Sequence, residues 1–377
     1  MKFQDPKEFR DLVPVTRKYI YLNHASISPT PLPVLFEAYR YLYEVSYRGS
    51  IAVNEEEVND LFNLREKVGK LINVSPEEVS FIPNTSYGVN VVAHGLDIRP
   101  GENVVTDNLE FPTVVFPLLK LAKKGVKINI IRTNPNTFEE DILSNINKNT
   151  RLVALSHVSF NTGLKVDVKK IVKEAKENGS YVLLDVIQSA GAVRINAKEL
   201  DVDFIVAGSY KWLMSPQGSG FLYIKKGLIE DPPFYGWKSS KNYLEFNSNE
   251  FILEEGPRRF EIGTIDMSAT LALAKSCEIL SENMDLVESS VLTLSAITIK
   301  LAEEHGFEVI TPKDRRAGII ILKVNKAREI VNSLINENIV VSPRGEGIRI
   351  STHFYNTKDE INNVIERISY YNKKFNS

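Results

Sequence analysis

Tyr181-Val182-Leu183-Leu184-Asp185-Val186-Ile187-Gln188-Ser189-Ala190-Gly191 and, a short connection later, Phe204-Ile205-Val206-Ala207-Gly208-Ser209-Tyr210-Lys211 decide how this chain is read. Each begins as a short apolar run and ends in small and polar residues. Such runs, bounded by Gly and Ser, read as buried strands of a parallel sheet. Chemistry in these sheets collects at the carboxyl ends of the strands, and both runs deliver an ionisable side chain there, Asp185 and Lys211. The pair has two readings. One is a buried ion pair closing the sheet. The other is a cofactor site, in which the lysine holds an aldehyde and the aspartate pairs with a pyridinium nitrogen. Gln188, Ser209 and Tyr210 favour the second, because they add the polar handles that a phosphorylated pyridine needs.

Working outward, the 377 residues are 43% hydrophobic and 25% charged, which is ordinary globular composition and long enough for two domains. The net charge of −2 and scattered Lys-Lys pairs give no basic stripe, which argues against a nucleic-acid partner. No apolar run approaches membrane-spanning length, and the opening MKFQDPKEFRDLVP resembles neither a signal nor a transit peptide. A soluble, cytoplasmic protein with no membrane association is expected. A single cysteine, Cys277, excludes an intrachain disulfide and a cysteine-based metal cluster. No metal site is expected.

Along the chain, Tyr21-Leu22 leads into the small-residue loop Asn23-His24-Ala25-Ser26, and Pro29, Pro31 and Pro33 then launch a helix. Two helices are predicted between Leu32 and Asn73, the second over Glu55 to Leu71 with Val58, Leu61, Phe62, Leu64 and Val68 at helical spacing. The strand Val79 to Ile82 runs into Asn84-Thr85-Ser86 and a further helix. That arrangement caps a helix in the ordinary way, and it also offers free amides and two hydroxyls to an anion. Strands follow at Asn103 to Thr106, Gly125 to Ile131 and Arg151 to Ser159, the last leading into Phe160-Asn161-Thr162-Gly163. The helix Val168 to Asn178 completes a βαβ unit with the central stretch. After an aromatic-rich loop, Asp231 to Glu255, comes Gly263-Thr264, and from Ile265 onward a smaller unit of helices and short strands. Within that unit Ile348-Arg349-Ile350 places an arginine in an apolar strand, where it needs an anionic partner. Arg344 reads instead as a surface residue of the adjoining hairpin.

LLDVIQSAG followed by AGSYKW resembles the pyridoxal 5'-phosphate (PLP) site of class V aminotransferases of fold type I, a group that includes cysteine desulfurases, kynureninases and isopenicillin N epimerase-like proteins. The likeness runs from YLNHASISP to IRISTHFYNTKDEI, nearly the whole chain. It implies an α/β fold: a large domain, residues 21–264, with a mostly parallel seven-stranded sheet flanked by helices, a smaller α+β domain over 265–377, and an N-terminal arm, 1–20, packed on the small domain. By the same resemblance Lys211 forms the Schiff base with PLP and Asp185 protonates its ring nitrogen. Gln188 meets the phenolic oxygen and Phe111 stacks on the ring. Thr85, Ser86, Ser209 and Tyr210 hold the phosphate, with Thr264 reaching the phosphate of the other subunit, so a homodimer with shared sites is implied. Asn23, His24, Ala25, Ser26 and Asn161 border the amino-acid substrate, and Arg349 binds its carboxylate.

The resemblance leaves the reaction open between epimerase or transaminase chemistry, β-eliminating lyase chemistry and a non-catalytic PLP-binding regulatory role. Desulfurases carry a histidine where Phe111 stands and a cysteine nucleophile on a mobile loop, whereas Cys277 falls in a helical run. Kynureninases usually differ at Gln188. The segments NHASISP, EFP, HVSFNTG and IRISTHFYN are most similar to the isopenicillin N epimerase-like branch.

Overall fold

The computed structural model describes residues 1–52 and 61–376. Twelve strands are numbered in chain order: β1 (Ile20–Tyr21), β2 (Val79–Ile82), β3 (Asn103–Asp107), β4 (Lys127–Ile131), β5 (Thr150–Ser156), β6 (Tyr181–Asp185), β7 (Phe204–Gly208), β8 (Gly220–Ile224), β9 (Ile319–Lys323), β10 (Ile339–Val340), β11 (Ser342–Arg344) and β12 (Gly347–Ser351). Seven of them form one sheet in the order β2-β8-β7-β6-β5-β3-β4. All pairings are parallel except those of β8, which runs antiparallel to both β2 and β7. This is the fold type I architecture that the resemblance implied.

Both faces of the sheet are covered, so its central strands β6 and β7 are apolar runs and side chains alternate between two cores. Along β7, Ile205 and Ala207 enter the core that also holds Val153, Leu155 and Leu184. Phe204 and Val206 enter the other, with Val89, Val92 and Leu183. Helices cross between the parallel strands, as with Val168–Glu177 between β5 and β6. Alternate crossovers of this kind leave the strand ends Asp107, Ser156, Asp185 and Gly208 along one edge of the sheet.

A second sheet, β11-β12-β9, is antiparallel and packs on a core of its own that includes Leu22, Leu294, Ile320, Ile348 and Val364. The helix Met267–Glu282, expected in the small unit, belongs instead to the core of the large sheet, sharing it with Val68 and Leu71. Packing therefore does not break at residue 264. The N-terminal arm contains the short helix Pro6–Arg10, whose Phe9 ring meets Phe354 at 4.7 Å, while Arg10 pairs with Glu360 at 2.7 Å. Of the helix expected over Glu55 to Leu71, positions 55–60, including Val58, lie outside the described residues. Leu61–Ile72 is helical.

Candidate functional site

Asp185 ends β6, and Lys211 follows β7 by three residues. Gly208, the last residue of β7, makes a tight approach possible. A Cβ there would stand 3.3 Å from Thr85 Oγ1, from Ile187 Cδ1 and from Tyr210 Cε1. Gly191, after Gln188, has φ +93° and its Cβ would lie 2.3 Å from the Trp212 carbonyl oxygen. Only glycine fits there. Asp185 and Lys211 are both buried. They attract each other through space, yet no hydrogen bond or ion pair joins them among the described residues. Asp185 Oδ1 accepts the Ile187 N–H at 2.9 Å. The reading as a plain structural ion pair therefore loses its ground.

Burial pushes the Asp185 carboxyl up to about 6, opposed by the Ile187 N–H and Lys211. It pulls the Lys211 ammonium down to about 8, with Asp185 opposing and the Arg349 and Arg344 charges adding to the drop. A lysine that sheds its proton near neutrality is a competent nucleophile. Attachment of PLP to the cofactor-free protein needs the neutral amine. Its rate is expected to rise with pH and level off above about 8, where an unperturbed lysine would climb to about 10.4. Stopped-flow growth of the visible band of bound PLP reads this directly, and a rate still climbing beyond about pH 9.5 (roughly one and a half units past that midpoint) would contradict it.

The phosphate residues are brought together in part. Thr85 opens the helix Thr85–Gly95, capped by Asn84, whose side chain accepts the Tyr87 N–H at 3.0 Å. Thr85 Oγ1 is buried with no partner, at the positive end of the helix, which is the condition an anion would relieve. The Ser86 hydroxyl is hydrogen-bonded to Thr113 Oγ1 at 2.6 Å. Ser209 is fully buried and its hydroxyl donates to the Pro216 carbonyl, so it buttresses the turn before Lys211 instead of facing the Thr85 helix end with a free hydrogen. Tyr210 is half-buried, and its carbonyl accepts the Ser28 N–H at 2.9 Å. Thr264 is exposed, on the rim of a cleft lined by Tyr87, Gly218 and Asp266.

Phe111 is 43% exposed and so is not a core residue. Lys211 Nζ lies 5.5 Å from its ring centroid, and the Phe160 ring meets it edge-on at 5.1 Å. Gln188 is buried. Its Nε2 donates to the Ala25 carbonyl at 3.0 Å and its Oε1 accepts from Trp212 Nε1 at 3.0 Å. One amide hydrogen remains for another acceptor.

On the substrate side the expectations divide. His24 is a correction: it is fully buried, Nδ1 donating to the Ser351 carbonyl at 2.8 Å and Nε2 accepting from the Tyr355 hydroxyl at 2.6 Å. Burial and the neighbouring His353 hold it neutral. Both nitrogens are used, so it is a structural ring joining the Asn23–Ser26 loop to β12. Ala25 is likewise buried, its N–H donating to Ser351 Oγ at 3.0 Å. Ser26, Asn23 and Asn161 stay partly exposed. Asn23 Oδ1 has no partner, and Ser159, whose Oγ accepts the Asn161 and Thr162 N–H groups, caps the turn that presents Phe160 and Asn161.

Arg349 is 1% exposed. It donates to Ser26 Oγ at 2.5 Å and to the Phe160 carbonyl at 3.2 Å, its Nε has no partner, and no carboxylate pairs with it among the described residues. Burial, helped by Arg344, lowers it to about 9. Arg344, read from sequence as a surface residue, is half-buried over the Phe160 ring at 5.6 Å, with its Nε also unpartnered. Two guanidiniums with no counterion among the described residues face the same loop. Neither Arg344 nor Phe160 stood out in sequence, because a hairpin arginine and a turn phenylalanine have no periodic signature. Metal-ligand clusters are absent among the described residues.

A buried lysine of lowered basicity, a carboxylate at the neighbouring strand end and an anion-seeking helix terminus define a PLP-dependent enzyme of fold type I. The aminotransferase class-V family model matches residues 20–364, and the chain belongs to that family. It is 28% identical, over 96% of both chains, to a probable cysteine desulfurase of Methanothermobacter thermautotrophicus. It is 27% identical, over 97% of both, to the uncharacterized aminotransferase YcbU of Bacillus subtilis. Among solved structures, the apo cysteine desulfurase of Thermococcus onnurineus NA1 superposes with a TM-score of 0.89 at 25% identity, covering 99% of each chain. PLP is the cofactor of this family, and the unpartnered Thr85 hydroxyl and the Lys211–Asp185 arrangement fit it.

Proposed function

We propose that this enzyme acts at the α-carbon of an amino acid, as an epimerase or transaminase of the isopenicillin N epimerase-like branch. The observation that carries the reading is Arg349, a buried guanidinium with no carboxylate partner among the described residues and so suited to a substrate carboxylate through a bidentate fork. When bound at Lys211, PLP supplies the electron sink that stabilises negative charge at the α-carbon. The chain's own residues do the rest. Asp185 would hold the proton on the ring nitrogen, and the second amide hydrogen of Gln188 would be available to the phenolic oxygen. Thr85, Ser86, Ser209 and Tyr210 surround the phosphate, the last two through the turn they form. Phe111 and Phe160 would cover the ring, Ser26 and Arg349 would orient the substrate, and Lys211 Nζ would be the base for the α-proton.

A second reading, a β-eliminating lyase, is favoured by the relatives named cysteine desulfurases. It would not run through a protein persulfide. Cys277, the chain's one cysteine, is fully buried in the helix Met267–Glu282 and burial pushes its thiol far up. Product analysis separates the two. The first expects the D-isomer or a keto acid from an L-amino acid. Pyruvate, ammonia and sulfide from cysteine would establish the second. Cys277→Ala is expected to leave either outcome unchanged, and loss of sulfide release in that variant would restore a cysteine-dependent route.

The same reading makes the enzyme a homodimer, with Thr264 completing the partner's phosphate site. Support comes from an exposed apolar face on the helix Leu32–Arg48, where Phe36, Tyr39, Leu42 and Tyr47 are each more than half exposed. Sedimentation of the PLP-loaded protein tests it, and a monomer that turns over substrate would refute it. No helix among the described residues is long and apolar enough to cross a membrane.

A further inference from the structure

Three carboxyl groups crowd the edge of the sheet where Asp185 lies, and two have no assigned task. Asp107 ends β3, and Glu110 closes the turn that follows. Glu110 reaches across to Ser156, the last residue of β5. One carboxyl oxygen accepts the Ser156 N–H, and the other accepts its hydroxyl at 2.5 Å. Ser156 is the register partner of Asp185. The turn is tied on its other sides as well: Asp107 Oδ1 accepts the Leu109 N–H at 2.8 Å, and Asn108 Oδ1 accepts the Thr133 N–H at 2.7 Å. The next residue after Glu110 is Phe111, which caps the helix Pro112–Leu119 and turns its ring toward Lys211.

We propose that Glu110, backed by Asp107, is a positioning residue for the PLP ring: its fork onto Ser156 fixes the turn carrying Phe111 relative to Asp185. The proposal rests on the PLP site described above and adds a residue to it. A carboxyl group suits the task because its two oxygens engage the N–H and O–H of a single residue at once. It must do so without placing a further full charge beside Asp185. The charged groups acting on the pair are each other and Asp185, which in turn faces Lys211. Burial raises Asp107 to about 6 and holds Glu110 well above the ordinary carboxylate range, the negative charges of Asp107 and Asp185 adding to it. Asp107 Oδ2 is buried with no hydrogen-bond partner.

The test uses the full chain, with PLP affinity followed by visible absorbance and ring orientation by visible circular dichroism per bound PLP. Glu110→Ala and Phe111→Ala are each expected to weaken PLP binding roughly tenfold or more and to diminish the dichroism, with the melting temperature of the cofactor-free protein unchanged. Because Glu110 acts through Phe111, the double variant is expected to be no worse than either single one. Glu110→Gln, which keeps two polar atoms on Ser156, is expected to restore affinity. Ser156→Ala, the variant to rely on if Glu110→Ala does not fold, is expected to diminish the dichroism with a smaller loss of affinity. Wild-type dichroism in Glu110→Ala or Ser156→Ala, additive losses in the double variant, or Glu110→Gln as impaired as Glu110→Ala would each overturn the proposal. Failure of the wild type itself to take up PLP at Lys211 would be a failure of the site, visible before any variant is compared.

Discussion

Lys211→Ala is expected to lower turnover on every amino acid substrate by on the order of 10⁴-fold, since one amine is both the covalent anchor and the base. The protein should still take up PLP through its phosphate and ring contacts, but borohydride should no longer fix the cofactor to the chain. Mass spectrometry of the reduced protein reads this as the absence of the added mass that wild type acquires at Lys211. Folding should not suffer. The amine is buried with its basicity already depressed to about 8, so its removal takes away a group whose charged form the fold disfavours. Turnover in the variant within tenfold of wild type, a change of about 1.4 kcal/mol, would mean that another base does the chemistry.

The second large effect is at Arg349. Arg349→Met is expected to raise KM by roughly 10²- to 10³-fold, the scale of losing one partner of a buried charged pair, about 2–5 kcal/mol. The stability change should be small. Breaking an internal ion pair costs about 3–5 kcal/mol because the other charge is stranded, but among the described residues no carboxylate pairs with Arg349. The loss of the bonds to Ser26 and Phe160 is offset by removing a guanidinium that burial disfavours. A thermal melt together with a KM–kcat comparison decides. A large drop in melting temperature with KM unchanged would make Arg349 structural. Arg344→Ala, at a half-buried and more hydrated position, is expected to raise KM less.

The order of strands and the Asp185–Lys211 pair could be read from sequence because strands buried on both faces show as continuous apolar runs with an abrupt polar end. Arg349 was legible for the same reason, a charge inside an apolar alternation. His24 misled because a histidine in a small-residue loop looks exposed. Its burial depends on Ser351 and Tyr355, more than three hundred positions away. Arg344 misled in the opposite direction, since only the folded hairpin brings it over Phe160. Ser209 could be singled out in the turn before Lys211, but the direction of its hydroxyl, toward Pro216, is a tertiary fact. The helix Met267–Glu282 lies in the stretch expected to be helical, yet its apolar surface does not announce which core it joins.

The central claim, that Lys211 removes the α-proton of an amino acid held by Arg349, is tested most directly by proton exchange. PLP-loaded enzyme in deuterated buffer, incubated with a panel of L-amino acids, is followed by loss of the α-proton signal in NMR. Epimerisation, transamination and β-elimination all begin with this step, so the measurement stands apart from the choice among them. Wild type should exchange the α-proton of at least one amino acid, Arg349→Met should need far more substrate to do so, and Lys211→Ala should not exchange it. A wild-type enzyme that binds PLP at Lys211 yet leaves the α-proton of every amino acid in place, or a Lys211→Ala variant that exchanges as fast as wild type, would contradict the account.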